Sequence, residues 1–249
     1  MAPGFVRARS SGRVSYDMRW MPPLSIETFA SAVDHTLLDA AAPVARIDGV
    51  CDDAQRFGFA AVCIYPWWVA RAAERLDGDI AVCTVVGFPH GLDSTAAKVE
   101  SARTAVADGA SEVDMVMAWP VLRAGDSASV LADVEAVVTA VHGDRADACV
   151  KVIVESSQLS QDQLIAACEL VAQAGADFAK TSTGFAGGGA TVSAVETMRS
   201  VLPPSVRVKA SGGIRTAADA AAMLAAGAQR LGTSSAVAII EEATVDAVA

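Results

Sequence analysis

Eight short apolar runs recur along this chain at near-regular intervals, and that alternation constrains its fold more than any other feature. The runs stand at 32–37, 59–64, 80–86, 112–117, 149–155, 177–180, 206–209 and 229–232. Between them lie longer Ala-rich stretches with helical spacing. In 94–108 the apolar positions are Ala97, Val99, Ala102, Ala105 and Val106, and in 161–174 Leu164, Ala167, Cys168 and Val171 share one face. Gly109, Gly175 and Gly227 follow helical stretches and read as C-terminal stops. Strands alternating with helices build a parallel α/β sheet. Eight of them predict a (β/α)8 TIM barrel, a fold of about 250 residues. A doubly wound open sheet would want a Gly-rich turn after its first strand. Asp34-His35-Thr36-Leu37-Leu38-Asp39 has none.

The barrel is expected as a single domain over 25–249. Residues 1–24 differ, with Arg7, Arg9, Arg13 and Arg19 against one acid, Asp17. They read as a flexible N-terminal extension; a targeting peptide and an arm packed on a partner subunit are the other readings. Hydrophobic residues make up 53% of the 249, enough for a large core. The net charge of −10 argues against a nucleic-acid partner, although a local site can still oppose it for an anionic substrate. Five Cys, an odd number with no C-x-x-C pair, predict a reducing cytoplasmic setting without disulfides or a zinc site. No apolar run approaches the ~18–20 residues of a membrane span.

In such a barrel chemistry sits at the C-terminal ends of the strands. That rule selects Asp34 and Thr36 on the first strand, Cys63 on the second, Asp114 on the fourth, Glu155 on the fifth, Lys180 on the sixth and Lys209 on the seventh. The two lysines carry most information. Each closes an apolar run and gives way to small polar residues. The plain reading is a pair of solvated lysines at loop starts. On adjacent strands, facing one mouth, they instead disfavour each other's charge, and loss of one proton relieves both. A neutral amine attacks carbonyls to form a Schiff base. Asp114 lies inside an apolar strand, where an unpaired charge is costly, so it is expected to pair with a lysine and could shuttle protons. Glu112 and Lys151 are read as structural, with Lys151 toward the bottom of the barrel.

Ser211-Gly212-Gly213-Ile214-Arg215 and Gly232-Thr233-Ser234-Ser235 follow the last two strands. Glycine-rich turns there, before a helix N-terminus, suit a phosphate. His35 is read as a structural hydrogen-bonded residue, His90 as a possible lining of the mouth and His142 as surface; they are not spaced as a metal site.

These segments together resemble the deoxyribose-phosphate aldolase family, over residues 33 to 240. The resemblance is carried by Asp34-His35-Thr36-Leu37-Leu38, Ala61-Val62-Cys63-Ile64-Tyr65-Pro66, Val85-Val86-Gly87-Phe88-Pro89, Glu112-Val113-Asp114-Met115-Val116 and Lys151-Val152-Ile153-Val154-Glu155, and then by Lys180-Thr181-Ser182-Thr183-Gly184, Lys209-Ala210-Ser211-Gly212-Gly213 and Gly232-Thr233-Ser234-Ser235. It implies a metal-free, cofactor-free class I aldolase that reversibly cleaves 2-deoxy-D-ribose 5-phosphate in deoxyribonucleoside breakdown, often as a homodimer. Lys180 would be the Schiff-base lysine, Lys209 the neighbouring cation and Asp114 the proton carrier. Asp34, Thr36, Cys63 and Thr181 would belong to the relay or pocket, and Gly184, Gly212, Gly213, Ser234 and Ser235 to the phosphate site. Two positions depart from some members. Phe185 stands where they have a phosphate-facing Lys, and Ala118-Trp119-Pro120 where many have Asn, so Trp119 is expected to reshape the mouth. A Schiff-base aldolase for another aldehyde or sugar phosphate is the alternative.

Overall fold

The computed structural model describes residues 25–246. Its eight strands are β1 (Val33–Leu37), β2 (Ala61–Ile64), β3 (Ala81–Val86), β4 (Glu112–Val116), β5 (Cys149–Ile153), β6 (Phe178–Lys180), β7 (Arg207–Ser211) and β8 (Arg230–Thr233). Each pairs in parallel with the next, and β8 returns to β1, so the sheet closes into a barrel. The expected fold is therefore observed. All eight apolar runs became strands. The run at 149–155 stops being strand at Ile153, because Glu155 turns the chain with φ 54°. At 206–209 the strand continues two residues further, to Ser211.

Helices fill the gaps between strands: α1 (Ile26–Ala30), α2 (Val44–Phe57), α3 (Val69–Arg75), α4 (Thr95–Ala107), α5 (Trp119–Arg123), α6 (Ser127–Asp144), α7 (Gln161–Gln173), α8 (Val192–Val201), α9 (Ala217–Ala225) and α10 (Ala236–Asp246). Side-chain caps fix the starts of α1, α4, α6, α7, α8 and α9, satisfying backbone N–H groups that have no partner inside the helix. Ser94 accepts from the Ala97 N–H, and Ser160 forms a reciprocal capping box with Gln163. Gly109, Gly175 and Gly227 do end α4, α7 and α9, each with positive φ.

Side chains on a strand alternate faces, which gives the barrel two cores. Val62, Ile64, Val113, Met115, Val152, Ala179, Val208 and Leu231 point outward into the layer beneath the helices, where they join Phe29, Ile47, Val134, Met198 and Ile239. The other face of each strand points into the barrel. On β2 and β3 it carries a small apolar cluster of Ala61, Cys63, Cys83 and Val85 with Leu38. On the remaining strands it carries charge: Asp34, Glu112, Asp114, Lys151, Lys180 and Lys209, all buried.

Candidate active site

Register brings the lysines together. Lys180 on β6 lies directly beside Lys209 on β7. Asp114, two strands away from β6 on β4, reaches both: its Oδ2 accepts from Lys180 Nζ at 2.6 Å and from Lys209 Nζ at 2.6 Å. Lys209 Nζ also donates to Asp34 Oδ2. Arg230 closes the far side, donating to Asp34 Oδ1 at 2.7 Å and to Glu112 Oε1 at 3.0 Å.

Lys151 belongs to the same network. Asp114 and Lys151 are register partners, so barrel stagger raises Lys151 to the level of Asp114 rather than leaving it at the bottom. Its Nζ contacts Asp114 Oδ1 at 2.8 Å, Glu112 Oε2 at 2.6 Å and Cys83 Sγ at 3.2 Å. Cys63, Cys83 and Asp114, and likewise Asp34, Cys83 and Glu112, hold ligand atoms close enough for a metal ion. The Lys151 ammonium sits among the donors of both sets and supplies the positive charge there.

Burial and charge oppose each other throughout this network, and charge prevails. Desolvation alone would push the Asp114 carboxyl up; Lys151, Lys180 and Lys209 outweigh it and hold the group well below the usual carboxylate range. Asp34 is held low in the same way by Lys209, Lys151 and Arg230. Burial would lower Lys209 and Lys151, but Asp114 acts on both, with Asp34 for Lys209 and Glu112 for Lys151, and each ends above the ordinary lysine value. Both protons are firmly held.

The network opens on one side. A cavity of about 570 Å³ lies at the C-terminal ends of the strands, and of the three lysines Lys180 alone lines it. Thr36, Tyr65 and Thr183 also face it, as do Gly184, Gly212, Gly213 and Ser234 of the expected phosphate site. Gly184, Gly212 and Gly213 all have positive φ, and the Gly184 and Gly212 turns touch each other. Arg215 and Arg46 stand at the rim.

Other expected residues lie behind this wall. Asp34 and Lys209 are fully buried under it. Cys63 sits in the apolar half of the barrel beside Cys83. Thr181 holds β7 instead of facing the cavity: its Oγ1 accepts from the Ser211 N–H at 3.0 Å and donates to the Ser211 carbonyl at 3.1 Å. Ser235 also lies off the wall, and its N–H donates to Thr233 Oγ1 at 2.9 Å. Glu155 accepts from the Thr183 hydroxyl and N–H, bracing the turn after β6. Trp119 packs against the outer core with Arg123 over its ring, away from the cavity. His142 is not free at the surface; its Nε2 lies 3.0 Å from Asp177 Oδ2. His90 is exposed, and His35 is buried near Asp53. Sequence reasoning passed over Arg230 and Cys83. Both share the inward parity of the residues it chose, and that parity was the available signal.

A closed (β/α)8 barrel with charged side chains gathered at the C-terminal ends of its strands has the architecture of a barrel enzyme. The chain belongs to the DeoC/LacD family aldolases, whose pattern it matches over residues 28–240. It is 49% identical over 219 residues to deoxyribose-phosphate aldolase of Carboxydothermus hydrogenoformans, covering 88% of this chain and 96% of that one. Among solved structures, a protein from Coccidioides immitis superposes with a TM-score of 0.84 at 43% identity, covering 92% of each chain. The tetrameric deoxyribose phosphate aldolase from Aeropyrum pernix gives 0.82 at 32% identity, covering 90% of this chain and 94% of that one. No helix among the described residues is long and apolar enough to cross a membrane.

Proposed function

We propose that the chain reversibly cleaves 2-deoxy-D-ribose 5-phosphate to D-glyceraldehyde 3-phosphate and acetaldehyde, through a Schiff base on Lys180. One observation carries this reading: Lys180 is the lysine that reaches the cavity, and its only carboxylate partner among the described residues, Asp114, is shared with a second, fully buried lysine.

Asp114 Oδ2, which accepts a hydrogen bond from Lys180 Nζ at 2.6 Å, would take the Lys180 proton as the carbonyl approaches. The neutral Nζ then adds to the C1 carbonyl of the open-chain sugar, and the carbinolamine loses water to give a protonated imine. The C2–C3 bond breaks, its electron pair moving to C2 and on into the iminium as an enamine. The C3 hydroxyl loses its proton and leaves as the aldehyde. Protonation at C2 and hydrolysis release acetaldehyde and restore the amine. Lys209 keeps its charge throughout and holds Asp114 in place; Asp34 and Arg230 hold Lys209. The residues suffice for this chemistry without metal or cofactor.

At the other end of the cavity the Gly184, Gly212 and Gly213 backbone, with Ser234 and the start of α10, would seat the phosphate. Phe185 replaces a cation there with an apolar rim, stacking edge-on against Phe88 with centroids 5.2 Å apart. That rim supports a second reading, in which the same lysine serves another aldehyde with an apolar end. Comparing turnover of 2-deoxyribose 5-phosphate with that of the unphosphorylated sugar separates the two. We place the enzyme in the cytoplasm, in keeping with its free, largely buried cysteines, and as a homodimer. Borohydride added with substrate should leave a reduced ethyl group on Lys180, located by peptide mass mapping. An adduct on another residue, or none, would overturn the assignment.

A further inference from the structure

Ser211 lines the cavity and carries a buried hydroxyl that nothing in the scheme above uses. It is the last residue of β7 and, two positions beyond Lys209, it shares the inward face of that lysine. The residue is only 5% exposed yet lines the cavity. Its backbone is fully committed. The N–H donates to Thr181 Oγ1, and the carbonyl accepts from Thr181 Oγ1 and from the Ala190 N–H. Its Oγ, by contrast, has no hydrogen-bond partner among the described residues. A buried hydroxyl without a partner is unfavourable and uncommon, and where one persists at a site it points to a ligand.

The neighbouring strand keeps room for it. Ser211 is the register partner of Gly232 on β8. A Cβ on Gly232 would lie 2.2 Å from Ser211 Oγ and 3.1 Å from Lys209 Cε. Gly232 therefore serves the hydroxyl and the lysine stem by its lack of a side chain, a separate task from holding phosphate. Along the cavity, Ser211 stands between the reacting amine and the turn of Gly212 and Gly213.

We propose that Ser211 Oγ is a specificity-determining contact, hydrogen-bonded to the sugar's C4 hydroxyl, which lies between the imine carbon and the phosphate. This rests on the proposed aldolase reaction. An open chain bound at Lys180 by C1 and at the glycine turns by its phosphate leaves C3 and C4 between them. C3 becomes the aldehyde carbon, so the hydroxyl that persists through the reaction, and that a fixed hydroxyl can recognise in both directions, is on C4. In the synthetic direction it is the 2-hydroxyl of glyceraldehyde 3-phosphate.

The test compares two acceptors with acetaldehyde as donor: D-glyceraldehyde 3-phosphate, and 3-oxopropyl phosphate, which lacks that hydroxyl. The quantity read is the ratio of their kcat/KM values, in which any loss of folded enzyme cancels. In the wild type the hydroxylated acceptor should be preferred. Ser211→Ala should lower that preference about ten-fold, as expected for one lost hydrogen bond, by slowing the hydroxylated acceptor alone. An unchanged ratio, with both acceptors slowed equally or neither, would overturn the inference while leaving the aldolase reading intact. A wild-type chain inert toward D-glyceraldehyde 3-phosphate would overturn that reading, and the inference with it.

Discussion

The two faces of the barrel sheet are built on opposite principles. Outside, beneath the helices, Val62, Met115, Val152, Ala179 and Val208 meet helical side chains in a dry apolar layer. Inside, Asp34, Glu112, Asp114, Lys151, Lys180 and Lys209 exclude water no less completely, yet hold one another by charge. The outer layer stabilises the fold through buried apolar area. The inner one does so poorly, because desolvation consumes much of what ion pairing returns. It is retained for what charged groups do near a substrate. The residues separate cleanly because each strand alternates, so one strand can serve both ends.

This contrast predicts where damage falls. Lys180→Leu removes the amine at the cavity and should lower turnover by at least about 10⁴-fold while leaving a cooperative thermal transition, since a leucine there removes a charge from a crowded network. Appreciable turnover by this variant would sink the mechanism. Met198 on α8 sits wholly in the outer layer. Met198→Ala should cost about 2–5 kcal/mol in denaturant unfolding, with kcat per folded molecule nearly unchanged. A large fall in kcat would show that the two faces are not independent.

The inner network also sets a pH window. The Asp34 and Asp114 carboxyls are held below their unfolded values, so their stabilising effect is complete above about pH 5 and is lost as acid titrates them in the fold. Lys209 and Lys151 are held above theirs, so their effect is intact below the ordinary lysine range, about pH 10, and fades only as base titrates them in the fold. The network should therefore contribute a flat plateau of stability between about pH 5 and 9, measured by denaturant unfolding across pH. A wild-type dip within that range, absent from Lys209→Leu, would contradict the pairing. The smallest effect tests the dryness of the outer layer. Burial pushes the Cys51 thiol up to about 11 and that of Cys168 up to about 12. Native protein at pH 8 should take up almost no iodoacetamide at these two positions, and unfolded protein should react at both.

The outer layer was the more legible of the two in the sequence. Apolar periodicity marked every strand, and glycine stops marked α4, α7 and α9. Within the barrel, Lys180, Lys209 and Asp114 stood out because charge inside an apolar run is conspicuous. Arg230 did not, since an arginine at a strand start looks solvated until barrel closure brings Asp34 on the adjacent β1 and Glu112 on β4, across the interior, within its reach. Lys151 was seen but set too low, because the stagger that levels it with Asp114 is a property of closure and leaves no mark on a single strand. The end of β7 was hidden for a related reason. Ser211 reads as the first loop residue, and only its pairing with Gly232 makes it strand and turns its hydroxyl inward.

The sharing of Asp114 Oδ2 by two ammonium groups also governs what the barrel experiences during turnover. Lys151, Lys180, Lys209 and Arg230 face Asp34, Glu112 and Asp114, so the interior carries one positive charge in excess while the whole chain carries −10. A protonated imine on Lys180 has the same charge, centred on the same nitrogen, as the ammonium it replaces. Covalent capture of the substrate is thus electrically silent at the moment the carbon–carbon bond is ready to break. The surrounding groups can stay where folding put them, and the reorganisation that water would have to make around a newborn cation is already complete.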